Sequence, residues 1–338
     1  MTKLLVAGLL VVLFSIPGIQ FKKPKHFPEP LYNFAENPLS EEKIDLGRAL
    51  FFDNILSVDS SVSCASCHSV YNAFAHTDHA RSHGIYDRLG RRNAPALINL
   101  AWQTLFMWDG AVNNLEVQSL APLTHPDEMG SDLATTLIRL RQSKLYPTLF
   151  KSAFGDTAIT SERFLKSIAQ FMLTLVSANS KYDRVMRSEA QFSAQEQQGY
   201  TLFRQHCNAC HREPLFSDYS FRNNGLSVNP EINDSGRVAI SLNPLDRFRF
   251  KVPTLRNLEY SYPYMHDGRF TRLSQVLKHY TSPAGNPGVL DPALANGIQL
   301  NEIEKIDLTA FLLTLNDSSF VFNSSFTYPF HLFSTVKP

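Results

Sequence analysis

Apolar positions recur at helical spacing in matched segments of the two halves of the chain, while strand-like alternation is poor throughout. Ser40-Glu-Glu-Lys-Ile-Asp-Leu-Gly47-Arg-Ala-Leu50-Phe51 reads as a Ser-capped helix with Gly-x-x-Leu-Phe on its buried face. Ser193-Ala-Gln-Glu196-Gln-Gln-Gly199-Tyr-Thr-Leu202-Phe203 repeats the pattern, and Ser193 with Glu196 fits a capping box. A closing helix follows in each half, at Phe171-Met-Leu-Thr-Leu175 and Phe311-Leu-Leu-Thr-Leu315, the second opening on another capping pair, Asn301 and Glu304. The Pro- and Asn-rich stretches 214–257 and 281–297 read as loops. The pattern predicts a mostly α fold of two tandem modules, residues 21–190 and 191–338, with the boundary near 180–192.

Length and composition fit that organisation, since 338 residues with 43% apolar content are enough for two domains that each bury a core. Lys+Arg of 32 against Asp+Glu of 31 leaves a formal charge of +1, which excludes a broad basic footprint for nucleic acid. Lys3 precedes an apolar run from Leu4 to Ile16 that is short for a bilayer, with small residues near Gly18. Residues 1–20 therefore read as a Sec-type signal peptide, with an uncleaved anchor as the alternative. An exported, periplasmic protein is expected.

All four cysteines fall in two strings, Cys64-Ala65-Ser66-Cys67-His68 and Cys207-Asn208-Ala209-Cys210-His211. Two cysteines three apart put both sulfurs on one side of a helical turn, where they can add to the two vinyl groups of one porphyrin. The histidine that follows can reach the iron as proximal ligand. A zinc site would need four ligands brought close together, whereas these pairs lie far apart in the chain and each is followed directly by His. Two covalently attached c-type haems are predicted, and each module would wrap one of them as a cytochrome c-like domain.

Between and after these strings run Arg91-Arg92-Asn93-Ala94-Pro95, Trp108-Asp109-Gly110, Leu115-Glu116-Val117-Gln118 and Pro126-Asp127-Glu128-Met129-Gly130. Lys251-Val252-Pro253-Thr254-Leu255-Arg256-Asn257 and Pro263-Tyr264-Met265-His266-Asp267-Gly268 follow the second string. The joint pattern, over residues 30–318, resembles the bacterial di-haem cytochrome c peroxidases, a family that includes the MauG-type enzymes.

The resemblance implies a peroxide-reactive haem at Cys64, Cys67 and His68 and an electron-relaying haem at Cys207, Cys210 and His211. It puts the family's distal acid/base on Glu128, its distal amide on Gln118 and its inter-haem tryptophan on Trp108. A carboxylate suits the task of moving a proton between the oxygens of peroxide. Asn93 with the backbone carbonyls of Ser261 and Pro263 matches the inter-haem calcium site, an all-oxygen set suited to a hard cation. The family's Met ligand to the second haem falls on Tyr280, as in MauG-type enzymes; His279 and Met265 are the competing ligands. His83, in a loop with His76 and His79, resembles a removable distal ligand of the first haem, and Arg91, Arg92 and Arg256 are candidates to pair with haem propionates. The implied activity is reduction of hydrogen peroxide with electrons from a small cytochrome c or cupredoxin, in a homodimer. A MauG-like oxidase acting on residues of a partner protein is the alternative that Tyr280 favours, and a non-catalytic di-haem electron carrier is the third. The aromatic tail, with Phe320, Phe322, Phe326, Tyr328, Phe330 and Phe333, is expected to pack back on the first module.

Overall fold

The structure, a computed structural model, describes residues 19–282 and 290–334, so the predicted signal peptide lies outside it except for Ile19 and Gln20. The first half holds α1 (Glu41–Phe52), α2 (Cys64–Cys67), α3 (Leu115–Gln118), α4 (Leu120–Thr124), α5 (Leu133–Gln142), α6 (Tyr146–Phe154) and α7 (Ser161–Leu173). The second holds α8 (Lys181–Met186), α9 (Ala194–His206), α10 (Val238–Ser241), α11 (Leu273–Thr281), α12 (Glu302–Leu313), α13 (Ser318–Val321) and α14 (Phe330–Phe333). Among the described residues the only strands are the two-residue β1 (Phe221–Arg222) and β2 (Phe250–Lys251), paired antiparallel.

The capping residues read from the sequence act as expected. Ser40 accepts from the Lys43 N–H, and Ser193 with Glu196 and Asn301 with Glu304 form reciprocal boxes. Each half is built on one helix pair, α1 on α7 and α9 on α12, in which a glycine lets the two backbones touch. A Cβ on Gly47 would lie 1.9 Å from the Ser167 carbonyl oxygen, and one on Gly199 would lie 1.9 Å from that of Asp307. The aromatic residues beside these crossings also correspond, with Phe51 and Phe171 rings 5.2 Å apart and Phe203 and Phe311 rings 5.0 Å apart.

The correspondence extends into the loops. Phe106 to Gly110 and Tyr264 to Gly268 are matching turns, each closed by a bridge six residues on, Phe106 to Val112 and Tyr264 to Phe270. Met107 and Met265 both adopt positive φ, at 68° and 74°, as do Gly110 and Gly268. The two turns exchange equivalent backbone bonds: Asn93 N–H donates to the His266 carbonyl at 2.8 Å, and Lys251 N–H donates to that of Trp108 at 2.7 Å. One hydrogen-bonded junction thus places Trp108 and His266 in related positions.

Two apolar clusters form the core. The larger surrounds α1 and α7, and the smaller joins Tyr182, Phe203, Phe216, Leu308 and Phe311. Phe320, Val321 and Phe326 of the tail are buried in the larger cluster, as expected, although Phe322 and Phe330 stay exposed. Among the described residues no helix is long and apolar enough to cross a membrane.

Candidate active site

Both Cys-x-x-Cys-His strings close a helical turn. His68 N–H donates to the Cys64 carbonyl and His211 N–H to that of Cys207, each at 2.9 Å. His68 Nδ1 donates to the Phe74 carbonyl at 2.7 Å, and His211 Nδ1 lies 3.1 Å from the Pro253 carbonyl and 3.3 Å from that of Phe216. Because a carbonyl can only accept, Nδ1 carries the proton in both rings and Nε2 keeps the lone pair a metal requires. Burial lowers the His68 imidazole to about 4, so the ring is neutral at physiological pH.

The surroundings of the cysteines fit an apolar macrocycle. Cys64 packs on the larger cluster and Cys207 on the smaller, and burial pushes both thiols up to about 12. A buried thiol in apolar company is a poor hard-ligand site, and among the described residues no group of His, Cys, Asp and Glu has the arrangement of a metal centre. Tyr219, packed on the larger cluster, has a buried hydroxyl with no partner in the protein, as does Ser119, next to Gln118. Orphaned polar atoms of this kind fit a site completed by another group.

On the side of the first string, the loop 125–130 folds back so that Met129 N–H reaches the Pro122 carbonyl and Gly130 N–H that of His125. Glu128 on this loop is close enough to Cys67 to act on its thiol. Burial raises the Glu128 carboxyl above its ordinary value; nearby His125 opposes the rise and Asp127 adds to it. Gly84 presses on this segment: a Cβ there would lie 2.2 Å from the Asp127 carbonyl oxygen and 2.5 Å from the Glu128 Cα. Gln118, at the end of α3, donates from Nε2 to the Met107 sulfur at 3.6 Å. The His83 backbone lies over the first string, its carbonyl 3.8 Å from Cys67 Sγ, but its ring Nδ1 pairs with Asp87 at 2.5 Å. The His79 ring stands 4.6 Å from that of His83 and 5.9 Å from that of His76.

On the side of the second string, α11 carries both His279 and Tyr280. His279 is buried and not on the helix surface, and its Nε2 donates to the Asn224 carbonyl at 2.9 Å. Burial raises the Tyr280 phenol; a hydrogen bond with the Asn224 side chain opposes this, and the neighbouring Cys207 and Cys210 add to it. Tyr280 is thus the α11 side chain that senses the second cysteine pair. The Met265 sulfur accepts from Asn224 Nδ2 at 3.5 Å.

Trp108 stands at the junction between the halves, its indole Nε1 donating to the Asn93 carbonyl at 2.8 Å. Asn93 Nδ2 donates to the Ala80 carbonyl at 3.2 Å, which turns Oδ1 the other way, and the Asn93–His266 bond brings in the segment that carries Ser261 and Pro263. The arginines find partners within the protein, and Arg92 and Arg256 are taken up by carboxylates of the chain itself. Arg92 is held by Asp234 and Asp109, and Arg91 donates to the Ile232 carbonyl. Arg256 is fully buried and pairs through both terminal nitrogens with Asp183, at 2.7 and 2.8 Å. A buried guanidinium requires a buried carboxylate, and that partner sits on α8, where spacing alone gives no hint of it.

Sequence reading also missed Lys251, whose ammonium donates to Gln103 Oε1 and the Leu105 carbonyl at 2.9 Å beside Trp108. Burial lowers it to about 8, against the pull of Asp109. The match of Asn93-Ala-Pro-Ala-Leu-Ile-Asn99 with Lys251-Val-Pro-Thr-Leu-Arg-Asn257 could have paired Lys251 with Asn93.

Residues 41–191 match the family described as di-haem cytochrome c peroxidase. The chain is 36% identical over 309 residues to the methylamine utilization protein MauG of Methylorubrum extorquens, covering 88% of this chain and 83% of that one. It is 34% identical over 249 residues to the cytochrome c551 peroxidase of Nitrosomonas europaea, covering 72% and 74%. Its fold is similar to that of a MauG-like protein associated with microbial copper homeostasis, with a TM-score of 0.84 at 30% identity over 92% of this chain and 99% of that one.

Proposed function

This chain belongs to the di-haem cytochrome c peroxidase family, whose members carry two haems c, and from that premise we propose that it reduces hydrogen peroxide to water with electrons from a small redox protein. The observation that carries the reading is Glu128, a carboxyl raised by burial whose charge reaches Cys67 of the first Cys-x-x-Cys-His string. His68 would hold a haem, which when bound would supply the redox chemistry for splitting the O–O bond of peroxide. His68 is held neutral, with Nε2 free for the haem, by its hydrogen bond to Phe74. Glu128 takes the proton from one peroxide oxygen and returns it to the other; burial makes its carboxylate a readier proton acceptor than an exposed one. Gln118 orients the peroxide through its amide. Trp108, bonded to Asn93 at the junction of the halves, lies on the path by which electrons from the His211 side reach the first site.

A second reading, in which the electrons are drawn from residues of a partner protein as in a MauG-like oxidase, is favoured by Tyr280. An anionic phenolate ligand would favour the higher oxidation states of the second haem. The proximity of Tyr280 to Cys207 and Cys210 supports it as that ligand. In both readings Asn93, Ser261 and Pro263 hold a calcium ion, the protein is exported to the periplasm, and it works as a homodimer. The holoprotein should consume peroxide and turn over reduced small cytochrome c. Fast peroxide consumption with poor turnover of such donors would favour the second reading, and two haems inert to peroxide would leave only an electron carrier.

A further inference from the structure

Two tyrosines of the second half share a single carboxylate oxygen that the proposed mechanism does not use. Tyr182 Oη donates to Glu213 Oε1 at 2.7 Å, and Tyr200 Oη donates to the same atom at 2.9 Å. Tyr182 is buried, and its ring meets that of Phe216 edge-on with centroids 4.7 Å apart. Phe216 is one of the two residues whose carbonyls face His211 Nδ1, and Cys207 packs on the same apolar cluster. The Tyr200 ring lies 6.3 Å from that of Tyr182 and reaches a surface cleft of about 400 Å³ lined also by Gln197, Thr201, Arg204, Gln205 and Asn208. Asn208 lies inside the second Cys-x-x-Cys string and accepts from the Glu213 N–H at 3.1 Å, so the cleft, the carboxylate and the attachment loop are contiguous. The first half has no counterpart: the position matching Tyr200 in its Gly-x-x-Leu-Phe helix is Arg48.

We propose that Tyr182, Glu213 and Tyr200 form a proton-coupled electron relay between the second haem site and this cleft, with Tyr200 the residue at which an external one-electron donor is oxidised. The proposal rests on the reading that peroxide is reduced by this protein. When hydrogen peroxide takes up two electrons from the protein and two protons from solvent to give two waters, the protein is left short of two electrons. Tyr182 supplies one of them while its phenolic proton moves along the hydrogen bond to Glu213, leaving a neutral radical and a neutral carboxylic acid. Without that acceptor the oxidised ring would remain a buried cation, which is strongly disfavoured. An electron then passes from Tyr200 to Tyr182. The proton on Glu213 returns to Tyr182, and that of Tyr200 takes its place. A donor in the cleft restores the electron to Tyr200, and Glu213 gives the proton back. The second electron follows by the same cycle. Because both phenols use one oxygen, the relay carries one radical per chain at a time.

The test treats holoprotein carrying both haems with hydrogen peroxide in the absence of donor, follows peroxide loss, and traps radicals with a nitroso spin trap located by mass spectrometry. The expected result is one adduct per chain, on Tyr200, lost in Tyr200→Phe and in Glu213→Gln. Tyr182→Phe, which keeps the ring packed on Phe216, should also abolish the Tyr200 adduct and serves if Glu213→Gln fails to fold. Peroxide consumed with no tyrosine adduct, or an adduct unchanged by Glu213→Gln, overturns the relay and leaves the proposed function standing. No peroxide consumption overturns both.

Discussion

The two halves share a frame and differ in what they hang on it. In each, a glycine crossing locks two helices together, a phenylalanine carbonyl and a helical turn fix a histidine tautomer, and a bridged turn at Met107 or Met265 faces the junction. The side chains at matching positions then diverge: Trp108 against His266, Ile98 against Arg256, Arg48 against Tyr200. The loop that carries Glu128 is bonded through Ile85 to the segment lying over the first string, whereas in the second half α11 brings Tyr280 near the second cysteine pair. A duplicated scaffold can thus present two chemically similar cofactors to different neighbours, and the neighbours, not the attachment strings, set what each can do.

The largest effect is expected where that divergence bears on chemistry. Glu128→Gln keeps the shape of the side chain but removes its ability to move a proton. The rate of reaction with peroxide, followed by stopped-flow absorption, should fall about a thousandfold, equivalent to about 4 kcal/mol in the barrier. The second-haem spectrum should not change, because Glu128 lies at the first string. A variant that reacts at the wild-type rate would remove the functional asymmetry between the halves.

Arg256 tests the divergence in packing. Its match in the first half, Ile98, needs no partner, whereas Arg256 is paired with Asp183 in a fully buried bridge that His26 also joins at 2.7 Å. Arg256→Leu should destabilise the protein by about 3 kcal/mol in denaturant unfolding, because it leaves the buried carboxylate with only His26 and Ser180 as partners, while adding Asp183→Leu should restore part of the loss. Burial works against ionisation of Asp183, but hydrogen bonds from Arg256, His26 and Ser180 outweigh it and hold the carboxyl well below the usual range. This depressed group contributes stability above the unfolded carboxyl value of about 4, and the contribution is lost as the pH falls toward the folded value. The wild type should lose stability on acidification below about pH 4, and the double variant should lose less.

The frame itself was legible in the sequence, because helical periodicity, capping residues and the Cys-x-x-Cys-His strings are local signals. Ser40, Ser193 and Asn301 cap the helices their spacing announced. The junction was not legible. Asn93 bonds to His266 and Lys251 to Trp108 across more than a hundred residues, and only the fold joins them. The pairing of Arg256 was not legible for the same reason, since its partner on α8 carries no mark in the sequence. Glu128 and Tyr280 came from resemblance to a family; their residue types alone fit a solvated turn and a helix face equally well.

The shared part of the frame can be sharpened at its glycines. Gly47→Ala and Gly199→Ala each force a methyl group to within 1.9 Å of a carbonyl oxygen on the facing helix. Backbone cannot yield as a side chain does, so each variant should lose about 2–3 kcal/mol in thermal or denaturant unfolding. Similar losses in the two would show that the crossings are energetically equivalent. A tolerant Gly47 beside an intolerant Gly199 would show that the larger first core absorbs the strain.

The smallest effect lies at the starts of the same helices, where the halves are not quite equivalent. Ser40 accepts from Lys43 N–H at 3.3 Å, and Ser193 accepts from Glu196 N–H at 3.2 Å, so Ser40→Ala and Ser193→Ala should each cost about 1 kcal/mol. Only the second helix has the return bond, from the Ser193 N–H to Glu196 Oε2 at 2.7 Å, and Lys181 grips the same carboxylate. Glu196→Ala should therefore cost about 1 kcal/mol more by leaving that N–H without its side-chain acceptor and removing a negative charge from the helix N-terminus. The matching Lys43→Ala removes a positive charge from the same place and should cost less, even after loss of its contact with the Phe154 ring. Unfolding midpoints of the four single variants in low salt would measure the difference directly. If Lys43→Ala proved as damaging as Glu196→Ala, the two helix starts would be held by packing alone, and the capping box would not distinguish the halves.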